Sequence, residues 1–72
     1  MKQMPDTFPE RLQYLRERRG ISRRTLGELC GLSKSVVSCY ERGEKQPTLS
    51  SLVMLAEFFE ISVGELIGEK KG

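Results

Sequence analysis

Residues 22–42 hold two helix starts separated by a single sharp stop, and this constrains the chain more than any other feature. Ser22 and Ser33 each stand where a hydroxyl can accept from a backbone N–H of the following turn, the preferred N-cap chemistry. Behind Ser22, Leu26, Leu29 and Cys30 repeat on one helical face; behind Ser33, Val36, Val37 and Tyr40 do the same. Gly31 supplies the left-handed stop between them, and Leu32 plugs the corner. Helices over Arg23–Cys30 and Lys34–Arg42 are therefore joined by only three or four residues, glycine among them. That is the signature of a helix-turn-helix pair.

The flanking segments read as helices too. Thr7-Phe8-Pro9-Glu10 has the form of a capping box, with Pro9 tolerated in a first turn. Phe8, Leu12 and Leu15 then recur at helical spacing, and Gly20 ends the segment. Gly43-Glu44-Lys45-Gln46-Pro47 is a loop. Thr48 caps a fourth helix to about Phe59, with Leu49, Leu52, Leu55, Ala56 and Phe59 as its inner face. Ser62-Val63-Gly64-Glu65 is a second capping box, opening a short fifth helix with Leu66 and Ile67. The expected fold is all-α with five helices and no strand. Residues 1–6 form a loose tail, 7–68 the domain, and 69–72 a fraying end. Gly64 and Gly68 share the spacing of a membrane-dimer motif, but they sit in a polar helix and carry no such role.

With 72 residues there is room for one domain and a thin core. Net charge is only +2, but residues 1–46 carry +4 and residues 47–72 carry −2. A basic N-terminal part fits a phosphate-facing surface; a solvated surface of mixed charge fits equally well on charge alone. The start Met1-Lys2-Gln3-Met4-Pro5 has no apolar run of a signal peptide, and no stretch approaches the roughly 18 apolar residues of a membrane helix. Cys30 and Cys39 lie on consecutive helices with different facings, and their spacing is not that of a zinc site. The expectation is a cytoplasmic protein with reduced thiols, away from the membrane. There is no His, only one Asp and no phosphate-cradling glycine loop, so neither an enzyme nor a cofactor is expected.

The third helix carries the functional signal. At about 100° per residue, Val36, Val37 and Tyr40 face inward, while Lys34, Ser35, Ser38, Cys39 and Arg42 face outward. Two serines on an exposed helical face run against propensity. Small side chains there let a helix enter the major groove deeply, where Ser reads base edges and Lys34 reaches guanine O6 or N7. An ordinary solvated face is the other reading of the same residues. On the fourth helix, Met54 and Phe58 fall outside the inner face and are surface neighbours.

The ordered series Leu12, Leu15-Arg16, Leu26, Gly31-Leu32-Ser33, Val37-Ser38, Tyr40-Glu41-Arg42-Gly43 and Pro47 resembles the lambdoid phage Cro/repressor, or XRE-type, helix-turn-helix family. Leu52, Leu55-Ala56, Phe59, Ile61-Ser62 and Glu65-Leu66 extend the likeness, which runs from about Phe8 to Ile67. Two positions depart from the family pattern. Arg23 stands where Gln is usual, keeping a phosphate contact but losing the usual bracing of a base-reading side chain. Gly27 stands where Ala is usual, at a cost of about 0.5–1 kcal/mol in a helix interior, and lets two helices approach.

The resemblance implies a five-helix, lambda-repressor-like domain that binds double-stranded DNA as a homodimer on a palindromic operator. Ser33, Lys34, Ser35, Ser38 and Cys39 would face base edges. Ser22, Arg23, Arg42 and Lys45 would meet the sugar-phosphate backbone, helped by free N–H groups at the capped helix starts. Arg16 and Glu41 would form a structural ion pair. Met54, Phe58, Val63 and Ile67 are the candidates for the dimer contact. The implied activity is transcriptional regulation, with repression by promoter occupancy as the expected mode. An antitoxin, a restriction-control regulator, or a protein-interaction module that has lost DNA binding are the alternatives on the same fold.

Overall fold

The computed structural model describes residues 4–68; residues 1–3 of the expected tail and the expected fraying end, 69–72, lie outside the described residues. Five helices follow in order: α1 (Phe8–Arg18), α2 (Arg23–Cys30), α3 (Lys34–Arg42), α4 (Leu49–Phe59) and α5 (Val63–Ile67). There is no strand among the described residues. No described helix is long and apolar enough to cross a membrane.

Local chemistry sets most boundaries. The hydroxyls of Ser22, Ser33, Thr48 and Ser62 each accept from the backbone N–H three residues on, satisfying donors that a helix start leaves orphaned. At α5 the reciprocal bond is also present, so Ser62 and Glu65 complete a capping box. Thr7 differs from expectation. Its hydroxyl donates to Glu10 Oε1 at 3.2 Å and caps no backbone N–H. Pro9 has no N–H to offer at the second helical position, and the Thr7 side chain is turned so that its proton meets the Glu10 carboxylate while its oxygen takes no backbone donor. Glu60, not glycine, ends α4 with φ +61°, a left-handed conformation that L-residues enter at a cost of about 1–2 kcal/mol.

The core is built from all five helices. Leu12, Leu26, Val37, Leu55 and Leu66 are fully buried, one from each helix, with Phe8, Cys30, Tyr40, Ala56 and Phe59 around them. Helix α3 packs on α1 and α2, and α4 and α5 close the other side against α2 and α1. Met4 and Pro5, expected in a loose tail, are half-buried, and Pro5 borders a surface groove with Tyr14 of α1.

Two expected core residues are exposed. Leu29 is 58% exposed and Leu49 is 71% exposed. For Leu29 the reason is Gly27, which is itself buried. A Cβ at position 27 would collide with the backbone carbonyl of Leu32, so the missing side chain lets α2 roll onto the turn before α3. The inward arc of α2 then centres on Leu26, Cys30 and Gly27, and Leu29 lies about 100° away from its middle. Leu49 is the first residue of α4, and the inward arc of that helix runs through Ser51, Leu55, Ala56 and Phe59. Ser51 takes the buried place because Tyr40 needs a partner: the Tyr40 hydroxyl donates to Ser51 Oγ at 3.1 Å in the interior, as a buried phenol requires.

Candidate nucleic-acid interface

The outer face of α3 is exposed over its first turn, where Ser33, Lys34 and Ser35 all stand in solvent. Further along, Ser38 and Cys39 are half-buried and Arg42 is exposed. Lys34, Ser35, Ser38, Cys39 and Arg42 together line one shallow depression. The structure thus brings together four of the five base-reading candidates and one phosphate candidate. No acidic side chain of α3 shares that surface, because Glu41 points inward with 2% of its side chain exposed.

Glu41 is the anchor beneath this face. Arg16 donates to it through Nε at 2.6 Å and Nη2 at 3.2 Å, and through Nη1 to the carbonyl of Ile21 at 2.9 Å. The Glu41 hydrogen bonds hold the Arg16 guanidinium above its ordinary pKa, against the opposing effect of burial. A second arginine reaches the same carboxylate: Arg23 Nε donates to Glu41 Oε1 at 2.9 Å. Its side chain is 42% exposed, so one edge is held by Glu41 while the rest faces solvent at the start of α2. Two guanidiniums around one carboxylate leave an excess positive charge at the exposed edge, suited to phosphate. Sequence reasoning placed Arg23 at phosphate and missed Glu41 as its support. The only signal was the unusual arginine itself, since the contact spans 18 positions.

The other backbone candidates are placed differently. The Ser22 hydroxyl accepts from Thr25 N at 3.1 Å and donates to Thr25 Oγ1 at 3.0 Å, and Ser33 Oγ accepts from Val36 N at 3.1 Å. Both oxygens serve as caps; the Ser22 proton is also used, whereas Ser33 donates to no side chain or carbonyl among the described residues. Lys45 is exposed but borders a separate groove with Phe8, Pro9, Leu52 and Ile67. Arg42, expected at the sugar-phosphate backbone, is paired within the chain: Nη2 and Nε each reach a different oxygen of Glu44 at 3.1 Å. The pair raises the Arg42 pKa and lowers that of Glu44. Opposite charges two positions apart across a left-handed glycine, Gly43, were the sequence signal for it.

The dimer candidates do not form one surface. Met54 and Ile67 are exposed, at 44% and 41%. Ile67 shares its groove with Leu52, however, and Leu52 and Met54 project from nearly opposite sides of α4. Phe58 stacks edge-on against Phe59 with ring centroids 5.0 Å apart, and the Arg19 guanidinium lies 5.0 Å from its ring centre. Arg19 also donates to the Phe58 carbonyl at 3.2 Å. Val63 packs against the core. The exposed apolar residues missed on the Leu52 flank are Leu49 and Val53.

Residues 12–66 match the model of a helix-turn-helix family. The chain belongs to this XRE-type helix-turn-helix family. It is 37% identical over 62 residues to the HTH-type transcriptional regulator AnsR of Bacillus subtilis, covering 86% of this chain and 53% of AnsR. Among solved structures it superposes on the P22 c2 repressor protein in complex with a synthetic operator. The TM-score is 0.84 and the identity 26%, over 92% of this chain and all of that one. The N-terminal DNA-binding domain of SinR from Bacillus subtilis matches at TM-score 0.80 and 29% identity, over 90% and 96% of the two chains. The fold is therefore the five-helix, lambda-repressor-like one. Against its protein relatives the chain spans about half their length or less.

Proposed function

We propose that residues 7–68 form a sequence-specific duplex-DNA-binding unit that regulates transcription, acting by occupying a promoter as a repressor. The observation that carries this reading is the α3 outer face, where Lys34, Ser35, Ser38, Cys39 and Arg42 share one surface without a carboxylate from the same helix. The helix start, with Lys34 and the serines, enters the major groove, the docking geometry of this motif. Arg23, steadied by Glu41, and Lys45 meet phosphates. The relatives' names and the operator-bound c2 repressor support the same reading. The role is binding and not catalysis, and two unpaired cysteines suit the cytoplasm.

The protein acts as a symmetric dimer on a palindromic site, with half-sites about 10–10.5 base pairs apart. The exposed flank of Leu49 and Val53, with Ile67, is the better dimer surface. Phe58 and Val63 are occupied within their own chain.

Selection of bound duplexes from a random pool tests the reading, followed by Lys34→Ala on selected and scrambled duplexes. A base reader loses about 1–3 kcal/mol on the selected site and relaxes preference at one position per half-site. Equal loss on both duplexes would make Lys34 a phosphate anchor. A pool that yields no enriched sequence would reject sequence-specific binding.

A further inference from the structure

Arg42 and Glu44 flank the left-handed Gly43 just beyond α3, and their side chains face each other in solvent. Both guanidinium contacts measure 3.1 Å, each to a separate carboxylate oxygen. The side chains are 57% and 56% exposed, and the pair is bordered by Cys39, whose thiol lies beside both groups and whose carbonyl accepts from Glu44 N at 2.9 Å. A carboxylate gripping an arginine through two oxygens has the same fork geometry that a phosphate would use. Arg42 also lines the depression formed by Lys34, Ser35, Ser38 and Cys39.

We infer that Glu44 is an internal stand-in for phosphate, which occupies the Nε–Nη2 edge of Arg42 in the free protein and must be displaced before the DNA backbone can take that edge. The inference rests on the proposed DNA-binding role and adds a residue that tunes affinity. Exposed ion pairs are weak enough to exchange, so Glu44 lowers affinity without abolishing it. The exchange takes place at the backbone, and it weakens every duplex alike. Glu44 thus moderates attachment to DNA at large while leaving the base preference set by Lys34 and the serines unchanged.

A double-mutant cycle on Arg42 and Glu44 separates this exchange from simple charge repulsion. Binding of a fluorescent mixed-sequence duplex at low salt is measured for wild type, Glu44→Gln, Arg42→Ala and the double variant. Both side chains are exposed, and circular dichroism checks that each variant folds. Repulsion between Glu44 and phosphate is relieved whether or not Arg42 is present. Release of Arg42 is gained only when Arg42 is present. The expected result is a gain from Glu44→Gln in the wild-type background that exceeds the gain in the Arg42→Ala background by about two- to fivefold. A selected duplex should show the same excess. Equal gains in both backgrounds would overturn the inference while leaving DNA binding intact. Loss of affinity on Glu44→Gln would overturn it as well. Absence of binding by all four proteins, on mixed and selected duplexes, would remove the DNA-binding reading and this inference with it.

Discussion

Two arginine–glutamate clusters stand at the two ends of the same short stretch, Glu41 to Glu44, and they differ in almost everything but chemistry. Glu41 is buried with Arg16 and shared with Arg23. Glu44 is exposed and holds Arg42 alone. In the first cluster the low-dielectric surroundings make each charge dependent on the other, since an uncompensated buried charge is costly. In the second, water screens both partners and the pair is replaceable. The difference teaches that one pairing locks α1, α2 and α3 together, while the other is available for exchange with an external anion.

The comparison breaks most visibly in stability. Glu41→Gln leaves two guanidiniums without their carboxylate and should destabilise the fold by about 3–5 kcal/mol, read from urea unfolding. Glu44→Gln should shift the urea midpoint only slightly, as for an exposed pair. If the two variants unfolded alike, burial would not distinguish the clusters.

Arg23 is the intermediate case, tied to Glu41 but partly in solvent. Arg23→Ala should weaken binding to all duplexes alike and reduce the salt slope by about 0.9 per protein bound, as one phosphate contact is lost. A loss confined to the selected duplex would make Arg23 a base reader, and a full collapse of the fold would move it into the structural cluster.

The cysteines sharpen the same inside–outside contrast. Burial raises the Cys30 pKa and leaves the residue 2% exposed, whereas Cys39 sits half-buried in the depression on α3. Thiol reagents should label Cys39 first, and its alkylation should block DNA binding by bulk. Faster labelling of Cys30 would show the core to be open.

The smallest effect is electrostatic. Arg42 holds the Glu44 carboxyl below the ordinary carboxylate range. Its small contribution to folding is therefore present at neutral pH and is lost as pH falls through that lowered value. In Arg42→Ala the Glu44 titration, followed by NMR, should move up toward the ordinary range. An unmoved titration would mean the pair does not persist in solution.

What the sequence determined by itself was local. The starts of α2, α3, α4 and α5 were legible because Ser22, Ser33, Thr48 and Ser62 bond to backbone only three residues away. The left-handed stops at Gly31 and Gly43 depend on one residue's own sterics. The composition of the α3 outer face followed from helical periodicity alone, and so the candidate site was largely legible. Tertiary structure decided whatever depends on how the helices roll and on what approaches from afar. Leu29 turned outward because Gly27 sits on the Leu32 carbonyl, and Ser51 displaced apolar candidates because the Tyr40 hydroxyl had to be satisfied. Arg23 found Glu41 across 18 positions, and Phe58 lost its freedom to an arginine from α1's end, Arg19. Periodicity fixes which residues share a face, whereas the environment of that face is set by surfaces distant in the chain, whose packing and charge no local pattern encodes.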